Sequence, residues 1–296
     1  MTREEFHELT KQEIVLLDGA TGSNLMAAGM PRGVCTEEWI CEHPQVLIDL
    51  QQGYKEAGSR IILAPTFSAN RMNLEDRGLG DRLEGINRRM VAVTREAVGE
   101  DFLVGGDLTT TGKTAEDYGM LMEIYKEQIG ILAEAGVDLL MVETMLGLDE
   151  TMAALEAARA VCDLPVLCSL TIESDGSLFF GGNVFDAAAA LSEMGADAVG
   201  INCSVGPDRL EAVVRNIKKA VKVPVLAKPN AGMPTITDTG DAVYSMGADE
   251  FAFHMEKLVQ AGADIIGGCC GTTPEYIRKT AEKCRRNYYE NVDTVL

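Results

Sequence analysis

One unit repeats along this chain: an amphipathic stretch, a glycine, then a short apolar run. Glu134-Ala135-Gly136-Val137-Asp138, Glu193-Met194-Gly195-Ala196-Asp197 and Gln260-Ala261-Gly262-Ala263-Asp264 share it, and Glu56-Ala57-Gly58-Ser59-Arg60 is close to it. Glycine ends a helix by adopting the left-handed turn that other residues resist. The runs that follow are too short for helices, and several are β-branched, as strands buried on both faces should be. Eight such runs occur: Ile14 to Leu17, Arg60 to Ala64, Phe102 to Gly105, Leu139 to Val142, Pro165 to Leu170, Ala198 to Ile201, Pro224 to Ala227 and Asp264 to Gly267. Eight βα units filling 296 residues predict an α/β fold, a single-domain (β/α)8 TIM barrel over 1–296 with a core of about 10–285. The competitor is an open doubly wound sheet. It usually carries Gly-x-Gly-x-x-Gly after its first strand, which Asp18-Gly19-Ala20-Thr21-Gly22-Ser23 does not match.

Barrels of this kind gather function at the C-terminal ends of their strands. Here those ends carry Asp18, Thr66, Asp107, Glu143 and Thr144, Thr171, Asn202 and Cys203, Lys228 and Asn230, and Cys269 and Cys270. The vicinal pair sits in a glycine frame, Gly267-Gly268-Cys269-Cys270-Gly271-Thr272-Thr273-Pro274. With Cys203 it offers three thiolates at the ends of two strands, one ligand short of a closed tetrahedral zinc site. Three protein ligands leave room for a substrate atom, which is a catalytic layout. Adjacent residues of an extended strand point to opposite faces, so both cysteines reach one ion only if the chain turns there; a vicinal disulfide is the alternative. The other cysteines, Cys35, Cys41, Cys162, Cys168 and Cys284, read as small buried hydrophobes.

Composition removes several function classes. A formal net charge of −20 opposes nucleic acid and anionic membranes. The basic stretch Lys279 to Arg286 reads as a solvated helix. No apolar run approaches membrane-helix length, and the charged N-terminus lacks a signal core, so a cytoplasmic location with reduced thiols is expected. The three histidines, His7, His43 and His254, all lie away from strand ends, which argues against a histidine-based zinc hydrolase. Lys228 at a strand end admits a Schiff-base reading, against the commoner fate of pairing with a carboxylate.

Taken in order, Leu17-Asp18-Gly19-Ala20-Thr21-Gly22, Pro65-Thr66-Phe67-Ser68-Ala69-Asn70-Arg71, Val142-Glu143-Thr144, Gly200-Ile201-Asn202-Cys203-Ser204, Pro229-Asn230-Ala231-Gly232 and Gly267 to Pro274 resemble the zinc-dependent homocysteine S-methyltransferase family. The likeness covers nearly the whole chain. It is strongest to the N-terminal homocysteine-binding module of cobalamin-dependent methionine synthase. The resemblance implies an enzyme that moves a methyl group to the thiolate of L-homocysteine to form methionine. It implies Zn2+ on Cys203, Cys269 and Cys270, the substrate amino group on Asp18 and Glu143, and its carboxylate near the backbone of Gly19, Ala20 and Thr21. Asn230 matches a residue that sits near the metal when substrate is absent.

The methyl donor is the open point. No folate, cobalamin or reactivation module follows the barrel, so the donor is expected from outside: methylcobalamin on a separate corrinoid protein, or betaine or S-methylmethionine. Betaine-using relatives place a tryptophan before a Thr-x-Glu segment where this chain has Cys35-Thr36-Glu37-Glu38, which favours the corrinoid. The segment after strand three, usually Gly-Asp-x-Gly-Pro-Thr-Gly in the related module, reads Gly106-Asp107-Leu108-Thr109-Thr110-Thr111-Gly112. A non-catalytic subunit that binds homocysteine and zinc for a corrinoid system is the remaining alternative.

Overall fold

All eight apolar runs are strands of one parallel sheet. In the computed structural model they are β1 (Val15–Leu16), β2 (Ile61–Ala64), β3 (Leu103–Leu108), β4 (Leu139–Met145), β5 (Val166–Leu170), β6 (Ala198–Cys203) and β7 (Val225–Pro229). A small hairpin, β8 (Pro234–Ile236) and β9 (Ala242–Tyr244), precedes the last barrel strand, β10 (Ile265–Ile266). The structure describes residues 1–112, 117–237 and 242–292, with 285–292 by backbone alone. From β2 to β7 each barrel strand pairs with its sequence neighbour, and β10 joins β7 to β1. The β1–β2 seam is bridged by Arg60 N–H donating to Leu16 O at 2.6 Å and Leu63 N–H donating to Asp18 Oδ2 at 2.9 Å. The strand order never reverses, so the fold is the (β/α)8 barrel and not the doubly wound sheet.

The glycine stops behave as the sequence predicts: Gly58, Gly136, Gly195 and Gly262 have φ of 105°, 85°, 93° and 113°. The aspartates that follow three of them brace the sheet. Asp138, Asp197 and Asp264, each just before a strand, accept from the backbone N–H of Val104, Val166 and Val225 on the preceding strand. Each also meets a cation, Arg95, Arg159 or Lys218. One carboxylate oxygen, Oδ2, shared between a strand edge and a basic side chain holds neighbouring strands in register.

Alternation along the strands gives the barrel its interior. Val15, Leu17, Ile61, Leu63, Leu139, Met141, Leu167, Ala198, Leu226 and Ile265 form one apolar cluster inside it. Phe6 of the N-terminal helix Arg3–Gln12 completes that cluster and is fully buried. This helical plug is absent from the sequence reading, although Thr2 and Glu5 form a capping box that announces it. Going toward the C-terminal ends, the inward positions turn polar: Asp107, Glu143, Asn202, Lys228 and Cys269. The apolar floor and polar mouth follow from the same two-residue period.

At the outside of the barrel, Lys279 and Lys283 of the last helix pair with Asp249 and Glu256. The rest of the basic stretch, Arg285 and Arg286, lies outside the described side chains. No described helix is long and apolar enough to cross a membrane.

Candidate metal centre and substrate cleft

The three cysteines converge because β7 lies between the two strands that carry them. Cys203 stands opposite Pro229 in the β6–β7 register, and Cys269 N–H donates to Pro229 O at 2.8 Å. The chain then turns: Thr272 N–H returns to Cys269 O at 3.1 Å, with Gly271 at φ +81° in the third position of the turn. A side chain on Gly271 would also strike the Tyr244 ring at 2.4 Å. This turn swings Cys270 to the same side as Cys269. The sulfurs of Cys203, Cys269 and Cys270 all lie within 4.8 Å of one another, and all eight cysteines are free thiols.

Backbone strain concentrates at the same rim. Thr144, Cys203 and Ser204 have φ near +60° (57°, 58° and 63°), a region costly for residues with a Cβ. Side chains hold them there. Asn202 accepts from Thr144 N–H at 2.7 Å and Ser169 Oγ–H at 2.8 Å, and donates to Thr144 Oγ1 at 2.7 Å. Ser204 Oγ accepts from Ile172 N–H at 2.8 Å and meets Thr171 Oγ1 at 3.0 Å. Thr66 links β2 to the backbone of Asp107. Thr66, Thr171 and Asn202 are therefore braces, while their neighbours face the cleft.

Hydrogen bonds among the thiols share charge. Contacts from Cys203 and Cys269 pull Cys270 down to about 3, and contacts with Cys269 and Cys270 push Cys203 far up. The trio is an anion-bearing cluster before any ligand arrives. A tetrahedron with Zn–S near 2.3 Å has sulfur–sulfur edges of about 3.8 Å, so three soft donors at this spacing fit zinc. Asn230 adds a second sign: its Oδ1 is buried without a partner, while Nδ2 donates to Ser204 O at 3.3 Å.

The thiols form one wall of a cavity of 780 Å³. Asp18, Gly19, Ala20, Thr21, Glu143 and Lys228 line it, together with Asp107, Arg32, Glu37, Phe67 and Tyr244. Of the residues predicted for substrate, only Asn230 stands behind the wall. The β1 loop is laced to the cysteine turn: Ala20 N–H donates to Thr272 Oγ1 at 3.1 Å, and Tyr54 Oη–H to Ala20 O at 2.7 Å. Of the three backbone N–H groups predicted for the substrate carboxylate, that of Ala20 is thus spent within the fold.

Lys228 is an ion-pair partner, not a nucleophile. Its Nζ lies 3.0 and 3.3 Å from the two oxygens of buried Glu143. Burial alone would lower its pKa, but Glu143 and Asp18 outweigh that and hold it charged. Burial raises Asp18 to about 7, and raises Asp107 and Glu143 as well.

These raised carboxyls make a pH prediction. Asp18 loses its proton near pH 3.8 in the unfolded chain and near 7 in the fold. The folded state therefore holds more protons between those values, and its stability falls as pH rises through that window. The full shift corresponds to about 4 kcal/mol from Asp18, complete above pH 7. Asp18→Asn removes this contribution. Urea midpoints of metal-free protein should move in favour of the variant between pH 5 and 8; a constant gap would contradict the assignment.

The loop after β3, where the sequence departs from the expected Gly-Pro turn, is held by Glu150. Its carboxylate accepts from Thr110 Oγ1, from Thr111 N–H at 2.7 Å and Oγ1 at 2.8 Å, and from Tyr125 Oη at 3.0 Å. Thr109 Oγ1 donates to Glu143 O at 2.9 Å. Three threonine hydroxyls, those of Thr109, Thr110 and Thr111, thus anchor a loop that the Gly-Pro turn would have shaped by backbone preference.

Comparison with known proteins gives the following. The family model described as homocysteine S-methyltransferase matches residues 15–284. Methionine synthase of Mycobacterium tuberculosis is 30% identical over 298 residues, covering 93% of this chain and 25% of that protein. The Mycobacterium leprae methionine synthase is 30% identical over 303 residues, covering 94% and 25%. The chain thus spans about a quarter of the length of these relatives. Among solved structures, the metallated form of the homocysteine methyltransferase MmuM from Escherichia coli superposes with TM-score 0.78 at 24% identity, covering 94% of this chain and 98% of that one. A methyltransferase from Methanosarcina mazei superposes with TM-score 0.62 at 13% identity, covering 97% and 99%.

Proposed function

The chain belongs to the homocysteine S-methyltransferase family, and from that premise we propose that it methylates the sulfur of L-homocysteine to give methionine. Zinc would be held by Cys203, Cys269 and Cys270, and the methyl group would arrive on a separate corrinoid protein. The observation that carries this reading is the thiol trio, within 4.8 Å, on the wall of a cavity that Asp18, Glu143 and the loop Gly19 to Thr21 also line. Bound there, zinc supplies the positive charge that keeps the substrate sulfur ionised at neutral pH.

The protein's own groups do the rest. Asp18 gives the ammonium an acceptor, and the N–H groups of Gly19 and Thr21 face the carboxylate. Both ends of the amino acid are then anchored, and the sulfur is held toward the thiol wall. The substrate proton leaves to solvent on binding. The sulfur lone pair then forms the S–CH3 bond as the donor–CH3 bond breaks, with that electron pair leaving on the donor. Alignment of two reactants in a walled cleft is the main rate contribution expected from the barrel.

Two observations favour a protein-borne donor. Met26, Phe179, Phe180, Met233, Ile236 and Val243 are between 45% and 65% exposed, all on segments that follow strands on the mouth side. Exposed apolar groups collected around one opening suit a macromolecular partner. In contrast, among the described residues the only aromatic ones lining the cleft are Phe67 and Tyr244. Trp39 instead stacks on His43 and packs against the core, so it adds nothing to a cage for a quaternary ammonium.

The test is turnover. Zinc-loaded protein with homocysteine is offered methylcobalamin, betaine and S-methylmethionine in parallel, and methionine is quantified by chromatography. Methionine from methylcobalamin alone is expected. Homocysteine binding without product from any donor would replace this reading with the non-catalytic subunit.

A further inference from the structure

The hairpin β8–β9 buries almost nothing, yet it is tied down firmly. Of its strand residues, Pro234, Thr235, Ile236, Ala242 and Val243 are exposed, and only Tyr244 turns inward. Its base is laced to the cysteine turn. Met246 N–H donates to Ala231 O at 3.3 Å, Ala231 N–H donates to Cys270 O at 2.9 Å, and Tyr276 Oη–H donates to Met246 O at 2.7 Å. An exposed pair of three-residue strands adds little by burial. Its anchoring therefore points to the one side chain it delivers, to which neither the motifs nor the resemblance gives a task.

That side chain lands on the cysteine turn. Tyr244 lines the cavity together with Cys203, Cys269 and Cys270. Its ring covers Gly271 so closely that a Cβ there would stand 2.4 Å from the ring carbons Cγ and Cδ2. A side-chain hydrogen bond joins Tyr244 to Cys270. A phenol titrates at about 10, so at neutral pH the hydroxyl is the donor and the sulfur the acceptor.

The place of Cys270 explains the need for such a donor. Cys203 ends β6, and Cys269 is pinned to β7 through Pro229 O, whereas Cys270 sits in the turn itself. Three thiolates on one divalent cation also carry net negative charge, and a substrate thiolate adds to it. An O–H donor disperses the charge on one sulfur and fixes its direction.

We infer that Tyr244 is a positioning residue for the metal centre: delivered by the hairpin, its hydroxyl holds the Cys270 sulfur in its ligating orientation. The inference rests on the zinc reading above and adds a residue to it. Tyr244 acts through Cys270 and not on the substrate.

Tyr244→Phe removes one oxygen and keeps the ring over Gly271. Reduced, metal-free wild type and variant are compared by zinc affinity, in competition with a chromophoric chelator. The sulfur-to-metal charge-transfer band of the cobalt-loaded proteins and the thermal melts of the metal-free ones are also recorded. Zinc affinity is expected to fall by about 10-fold, as for the loss of an outer-shell partner. The charge-transfer band should move to longer wavelength, because the Cys270 thiolate has lost its donor, and the melt should stay where it is. An unmoved band would overturn the inference whatever happens to the affinity or the melt, since the ring would then serve packing alone. Unchanged zinc affinity would overturn it too, because the sulfur would then need no holding. If Tyr244→Phe does not fold, by circular dichroism, Tyr244→Leu makes the same comparison. A wild type that binds neither zinc nor cobalt would overturn the zinc reading itself, an outcome distinct from a variant that behaves as wild type.

Discussion

Cys269→Ser is expected to release zinc and abolish methyl transfer together while the barrel stays folded. A serine hydroxyl does not ionise near neutrality, so it cannot replace a thiolate in a three-ligand site. Loss of an outer-shell partner already costs about 10- to 100-fold in affinity or activity, and loss of a ligand should exceed that. The backbone of the turn does not depend on the sulfur. Cys269 N–H to Pro229 O and Thr272 N–H to Cys269 O remain in the variant. Metal analysis, methionine formation and a thermal melt on the same preparation decide the matter. Activity retained without bound metal would count against the thiol trio as the centre of the chemistry.

The second large effect is structural. Gly200 lies on β6 opposite Leu226 of β7. A methyl group there would stand 1.9 Å from Leu226 O and 2.6 Å from its carbonyl carbon. Those atoms are backbone, so no rotamer change relieves the clash, and β6 must separate from β7. Ordinary overpacking costs about 1–3 kcal/mol because side chains give way. Here the cost should exceed about 4 kcal/mol, a large part of a typical domain's stability. Gly200→Ala is therefore expected to be insoluble or to unfold at much lower urea than wild type. Because Cys203 follows on the same strand, any folded fraction should also bind zinc poorly. A variant with wild-type urea midpoint would contradict the close β6–β7 approach.

Much of the architecture was readable before any coordinates, for a physical reason. The helix–glycine–strand unit is local: Gly136, Gly195 and Gly262 need a left-handed backbone wherever the chain goes next. The eight strands followed from it, with observed ends a few residues longer or shorter, as at Leu103–Leu108 against Phe102 to Gly105. The β8–β9 hairpin left little trace, since three-residue strands are too short to show a period. Phe6 was missed because a lone aromatic in a charged helix gives no clue that it plugs a barrel.

The site was legible to different depths. Cys203, Cys269 and Cys270 stood out because their residue type and strand-end positions speak together, and the structure brings them within 4.8 Å. The partnership of Lys228 with Glu143 spans 85 residues and depends on which inward positions face each other across the barrel. Tyr244 reaches the cleft through the hairpin, so its place depended on an element the sequence did not reveal.

Zinc-edge X-ray absorption with selenohomocysteine tests the central claim most directly. The account predicts one zinc per chain in a shell of protein sulfur, with a selenium neighbour appearing when the ligand is added. Protein that carries no stoichiometric zinc, or a metal shell that never acquires selenium, would contradict it.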